Sequence, residues 1–102
     1  MTGKFGVELE CFNVQMDTVV NALNMAGIPA VRANYSGNDY TKFQIKYDGS
    51  INGTHGFEVV SPILEGEDGI ATIRKVCEII TALGAQVNQS TGFHIQIGRA
   101  HV

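Results

Sequence analysis

The chain has 102 residues, of which 44% are hydrophobic and 17% charged, and a net charge of −3 at neutral pH. That length suits one domain with one modest core. The composition excludes disorder, a membrane-spanning helix and broad binding to nucleic-acid backbone.

Met1-Thr2-Gly3-Lys4 runs straight into a strand, which leaves no room for a signal peptide. In that strand Phe5, Val7, Leu9 and Cys11 alternate with Gly6, Glu8 and Glu10. Alternate side chains leave opposite faces of a strand, so one face is apolar and the other carries two carboxylates roughly 7 Å apart. Like charges at that spacing repel unless a cation lies between them, and a divalent metal is the usual remedy. A solvated polar face is the plainer alternative.

Asp17 reads as the N-cap of a helix over 17–26, with Gly27 as its stop. A short strand over 28–33 follows, then a polar loop over 34–40 in which Tyr35 and Tyr40 pack on the loop base. From Thr41 to Asp48, Phe43, Ile45 and Tyr47 point one way and Gln44, Lys46 and Asp48 the other. The turn-rich run from Asp48 to Gly56, with Ser50 and His55, predicts a mobile hairpin loop. Phe57 to Val60 is a strand that Ser61-Pro62 ends.

The spacing of Ile70, Ile73, Val76, Cys77, Ile80 and Leu83 predicts a helix over 69–83 that Gly84 stops. Ala85 to Asn88 reads as a short strand. In Phe93 to Ile97 the alternation sets His94 and Gln96 opposite the core face, and 98–102 reads as a frayed end. Cys11 and Cys77 both fall on apolar faces, outside any zinc spacing. Core thiols without an export signal imply a reduced, cytoplasmic protein.

The chain also echoes itself. Gly6-Val7-Glu8-Leu9 returns as Gly56-Phe57-Glu58-Val59, and Thr41-Lys42-Phe43-Gln44-Ile45 as Thr91-Gly92-Phe93-His94-Ile95, both fifty positions later. Two β-α-β-β units around one sheet would place Glu8 as the counterpart of Glu58, and Gln44 as that of His94. The expected fold is α+β, a single mostly antiparallel sheet of five or six strands with two helices on one face. Its other face would collect Glu8, Glu10, Gln44, Lys46, Asp48, Glu58, His94 and Gln96.

Phe5-Gly6-Val7-Glu8-Leu9-Glu10, Asp48-Gly49-Ser50, Phe57-Glu58-Val59-Val60-Ser61-Pro62, Gly84-Ala85-Gln86-Val87-Asn88 and Thr91-Gly92-Phe93-His94-Ile95 together resemble the ordered motifs of the amidoligase family. That family is related to glutamine synthetase and glutamate–cysteine ligase. The resemblance implies half of a glutamine-synthetase-like catalytic fold, with 1–102 as a single truncated domain. It implies Mg²⁺- and ATP-dependent joining of a carboxylate to an amine through an acyl-phosphate. By carry-over Glu8, Glu10, Glu58 and His94 would be metal ligands, and Gln96 and Arg99 nucleotide or phosphate contacts. Asp48, Ser50, His55, Gln44 and Lys46 would form a loop or partner surface.

Two departures bear on catalysis. Gln96 stands where the family has a second histidine, and the family's later arginines have only Arg99 as a counterpart. The reading placed first is therefore a non-catalytic binding module of phage or mobile-element type, an anti-CRISPR-type inhibitor of a host nucleic-acid-processing enzyme. Placed second is a ligase whose site is completed by a homodimer or another chain, and third an inert fragment.

Overall fold

The structure is a computed structural model; it describes residues 3–33, 41–49 and 55–86 in full and the backbone of 93–97. The elements run β1 Lys4–Cys11, α1 Met16–Met25, β2 Ala30–Arg32, β3 Phe43–Tyr47, β4 Phe57–Val60, β5 Leu64–Glu65, α2 Gly66–Ala82 and β6 Phe93–Ile97. All six strands form one sheet in the order β2-β3-β4-β1-β5, with β6 on β1. The β2–β3 pair is parallel and every other pairing is antiparallel.

Alternation in the strands decides the layering. Phe5, Val7, Leu9 and Cys11 of β1 are buried with Phe43 and Ile45 of β3 and Phe57 and Val59 of β4. Val19 and Leu23 of α1 and Ile73, Val76 and Ile80 of α2 join the same core. Both helices thus cover one face, as the alternation predicts. Each fully buried side chain of this size contributes about 1.5–3 kcal/mol.

The helices end alike. Gly27 and Gly84 adopt φ of 82° and 98°, a conformation that L side chains rarely take. Ile28 N–H then donates to Leu23 O, and Ala85 N–H to Ile80 O, which closes each helix in a Schellman motif. The start of α1 differs from expectation. Gln15 sits at the N-cap with no side-chain cap, and Asp17 lies in the first turn, 3.2 Å from the Arg32 guanidinium. A carboxylate there still favours the positive end of the helix.

Three further expectations are corrected. Ile70 is 38% exposed because Gly69 takes the buried place in that turn: a Cβ there would stand 2.9 Å from Leu64 Cβ and 3.1 Å from the Phe5 ring. Tyr47 is 62% exposed although it follows the core alternation; it lines a cleft of about 200 Å³ with Gln15, Met16, Asp17, Arg32, His55 and Gly56. The strand expected over 85–88 is a single bridge between Gln86 and Phe12, and 87–88 lie outside the described residues. So do Tyr35, Tyr40 and residues 98–102.

The fifty-residue echo reappears in the architecture. Helix α1 begins at Met16 and α2 at Gly66, and β3 and β6 occupy 43–47 and 93–97. At the junction of the halves Leu9 pairs with Val59, the two residues that the echo equates. The β1–β4 register is therefore the one that a local two-fold through that pair requires.

Candidate acidic face of the sheet

Register places the polar positions in rows. One row runs Lys46, Glu58, Glu10 across β3, β4 and β1. The next runs Gln44, Val60, Glu8, and continues to the position of His94 on β6. Beyond it Gly6 pairs with Gln96. Glu8 and Glu58 are diagonal neighbours across the Leu9–Val59 pair, a separation within reach of long side chains.

This face is not a uniformly solvated surface. Gln44 points away from both helices and is nonetheless 4% exposed. Glu8, Glu10, Lys46, Asp48 and Glu58 are half-buried. Burial raises the Glu58 carboxyl above its ordinary 4.5, and the neighbouring charges of Glu8, Asp48 and Glu10 raise it further. Among the described residues, Lys46 pulls the other way.

The edge of the face beside β1 is shaped by Ser61. Val7 N–H donates to Ser61 Oγ at 2.9 Å, Ser61 Oγ donates to Pro62 O, and Ser61 N–H donates to Val7 O. The hydroxyl accepts from Val7 N–H in place of a backbone carbonyl where the chain passes from β4 to β5.

Of the residues singled out in the sequence, Glu8, Glu10, Glu58, Gln44, Lys46 and Asp48 thus share one face. The backbone of His94 and Gln96 aligns with their rows. His55 lies elsewhere, at the Tyr47 cleft with φ of 55°. Ser50 and Arg99 lie outside the described residues. Sequence reasoning missed Ser61 as a partner of the strand backbone; its place directly before a proline was the available signal.

The donor set consists of carboxylate oxygens, which suit a hard divalent cation. Among the described residues no group of three or more His, Cys, Asp or Glu side chains is placed to hold a metal ion by itself. The facing pair Glu10 and Glu58 suits Mg²⁺ in its usual setting, where one or two carboxylates share the ion with substrate phosphates.

An α+β protein with two helices on one side of a sheet and rows of carboxylates on the other is the class these features define. The family model described as "Putative amidoligase enzyme" matches residues 2–102, and the chain belongs to that family. No curated protein and no solved structure matches it.

Proposed function

We propose that the chain supplies the carboxylate wall of an ATP-dependent carboxylate–amine ligase site of glutamine-synthetase-like type. The observation that supports this most is the register, which sets Glu10 opposite Glu58 with Glu8 diagonal to it, on the face turned away from both helices. A sheet face that gathers carboxylates in neighbouring rows is suited to receive cations. Glu10 and Glu58, partners across the ladder, would share Mg²⁺ with the nucleotide's phosphates, with Glu8 and the position of His94 in the neighbouring row. When bound, the ion supplies charge neutralisation for phosphoryl transfer to a carboxylate.

The chain's own residues bind and position. Ionised Glu58 holds the cation side of a nucleotide, and Lys46 beside it limits the repulsion. Among the described residues Lys46 is the one cation acting on Glu58, and a transferring phosphoryl group needs several positive donors around it. We assign those donors to a second copy or a separately encoded chain, so the isolated protein binds MgATP without turning it over.

A second reading rests on the same carboxylates. An acidic face on a chain of net charge −3 can dock on a basic nucleic-acid groove, because complementary charge speeds and orients such docking. That describes a non-catalytic module of phage or mobile-element type, inhibiting a host nuclease in the manner of an anti-CRISPR protein.

Titration calorimetry with MgATP, with an ATPase assay on the same preparation, separates the two. Saturable binding that Glu58→Ala abolishes, with turnover only after a partner is added, supports the ligase wall. A folded chain that ignores MgATP overturns it, and capture of a basic nuclease from host extract would then carry the second reading.

A further inference from the structure

The cleft at the start of α1 lies on the helix side of the sheet, away from the carboxylate rows. Its volume of about 200 Å³ is below the roughly 300 Å³ at which pockets for drug-sized ligands begin, so it suits a small molecule. Opposite charges stand side by side in it. Arg32 Nη1 donates to Asp17 Oδ1 at 3.2 Å, and the two side chains are 57% and 69% exposed. A pair so open adds little to stability. That single contact leaves the carboxylate its second oxygen and the guanidinium its remaining N–H donors.

The walls of the cleft also do little for the fold. Tyr47 keeps its ring out of the core, and the ring rests over Gly49, where a Cβ would stand 2.9 Å from the phenol oxygen. His55 takes φ of 55°, an uncommon conformation for a residue with a side chain and one that costs stability. Among the described residues Gln15, Tyr47 and His55 make no side-chain hydrogen bond. A flat ring, two opposite charges and three open polar groups thus converge on one cavity.

The ion pair selects the charge of what binds there. An anion drawn to Arg32 is repelled by Asp17, and a cation drawn to Asp17 is repelled by Arg32. A molecule that carries both charges close together lines up head to tail against the pair and is attracted at both ends. We propose that this cleft binds a small zwitterion with a flat body. Its carboxylate meets Arg32 and His55, its ammonium group meets Asp17, and its body lies on the Tyr47 ring. An aromatic α-amino acid is the simplest molecule of that description. The site is separate from the carboxylate face and independent of the ligase reading.

The test titrates the whole chain with L-phenylalanine, 3-phenylpropionate and 2-phenylethylamine, which share a ring and carry both charges, the negative one or the positive one. Binding is read from amide chemical shifts. L-phenylalanine should give saturable shifts at 15–17, 32, 47 and 55–56, and each singly charged probe should bind at least tenfold more weakly. Arg32→Gln and Tyr47→Ala should each lose tenfold or more in L-phenylalanine affinity, with melting temperatures close to wild type because both side chains are exposed. If Tyr47→Ala proves unstable, the three probes on wild type and the Arg32→Gln variant decide. No saturable shift, equal binding of the three probes, tighter binding of either singly charged probe, or full affinity in Arg32→Gln would each overturn the proposal.

Discussion

Glu10 of β1 and Glu58 of β4 are direct partners across the antiparallel ladder, on the face turned away from both helices. Like charges set opposite one another destabilise a sheet. Glu58 carries the cost, through a carboxyl raised above its ordinary 4.5 by burial first and then by Glu8, Asp48 and Glu10.

The sign of the pH effect follows. The folded chain binds this proton more tightly than the unfolded chain, so the contribution is fully present below the unfolded value of 4.5 and is lost as pH rises through the higher folded value. Glu58→Gln mimics the protonated form. It should raise the melting temperature by a few degrees near neutral pH and by nothing below pH about 4. Equal gains at both pH values would show that charge is not the cause.

Metal and nucleotide should act together. If carboxylates meeting in twos need phosphates to complete the coordination of Mg²⁺, millimolar Mg²⁺ alone should hardly move the melting temperature. MgATP should raise it by the usual linkage, about 2.7 kcal/mol at a hundred times its dissociation constant. A large shift with Mg²⁺ alone would mean that the acids form a complete cage.

Gly69→Ala should destabilise the protein although it improves helix propensity. Alanine gains about 1 kcal/mol in an open helix. Here its methyl meets Leu64 Cβ at 2.9 Å and the Phe5 ring at 3.1 Å, and overpacking costs roughly 1–3 kcal/mol. Urea unfolding decides the sign; a more stable variant would show that α2 can lift from β1.

The cysteines should be inert in the native state. Burial, then Cys77 and Glu10, push the Cys11 thiol to about 11, and burial raises Cys77. Both are free, Cys11 buried and Cys77 partly so. A thiol-specific reagent at pH 8 should label Cys77 slowly and Cys11 only on unfolding, since thiolate is the reactive form. Rapid labelling of both would place Cys11 at the surface.

The periodic parts of the fold were legible in the sequence because they depend on local alternation. Phe5 to Cys11 and Ile73 to Ile80 declare their buried faces directly, and the common face of Glu8, Glu10 and Glu58 follows from the same parity. The exceptions depend on distant neighbours. Ile70 is displaced by the contact of Gly69 with Phe5 and Leu64, and Tyr47 is left outside the core at the α1 cleft. The pairing of Glu10 with Glu58 needed the register, which the fifty-residue echo already contained in Leu9 and Val59. Gln44 looked like an ordinary face residue, and its burial could be seen only in three dimensions.

The place of β1 in the sheet has a consequence for how the chain folds. This strand comes first in the order of elements, yet its ladder partners are β4, β5 and β6, all from the second half. A chain emerging from the ribosome must leave the backbone N–H and C=O groups of β1 without their ladder partners until Phe57 to Val60 has been made. Contacts so remote in sequence make for slow closure, and the waiting strand is exposed to wrong partners. Refolding should therefore be slower than for a helical bundle of this size and should lose yield as concentration rises, with the edge of β1 as the place where molecules first adhere.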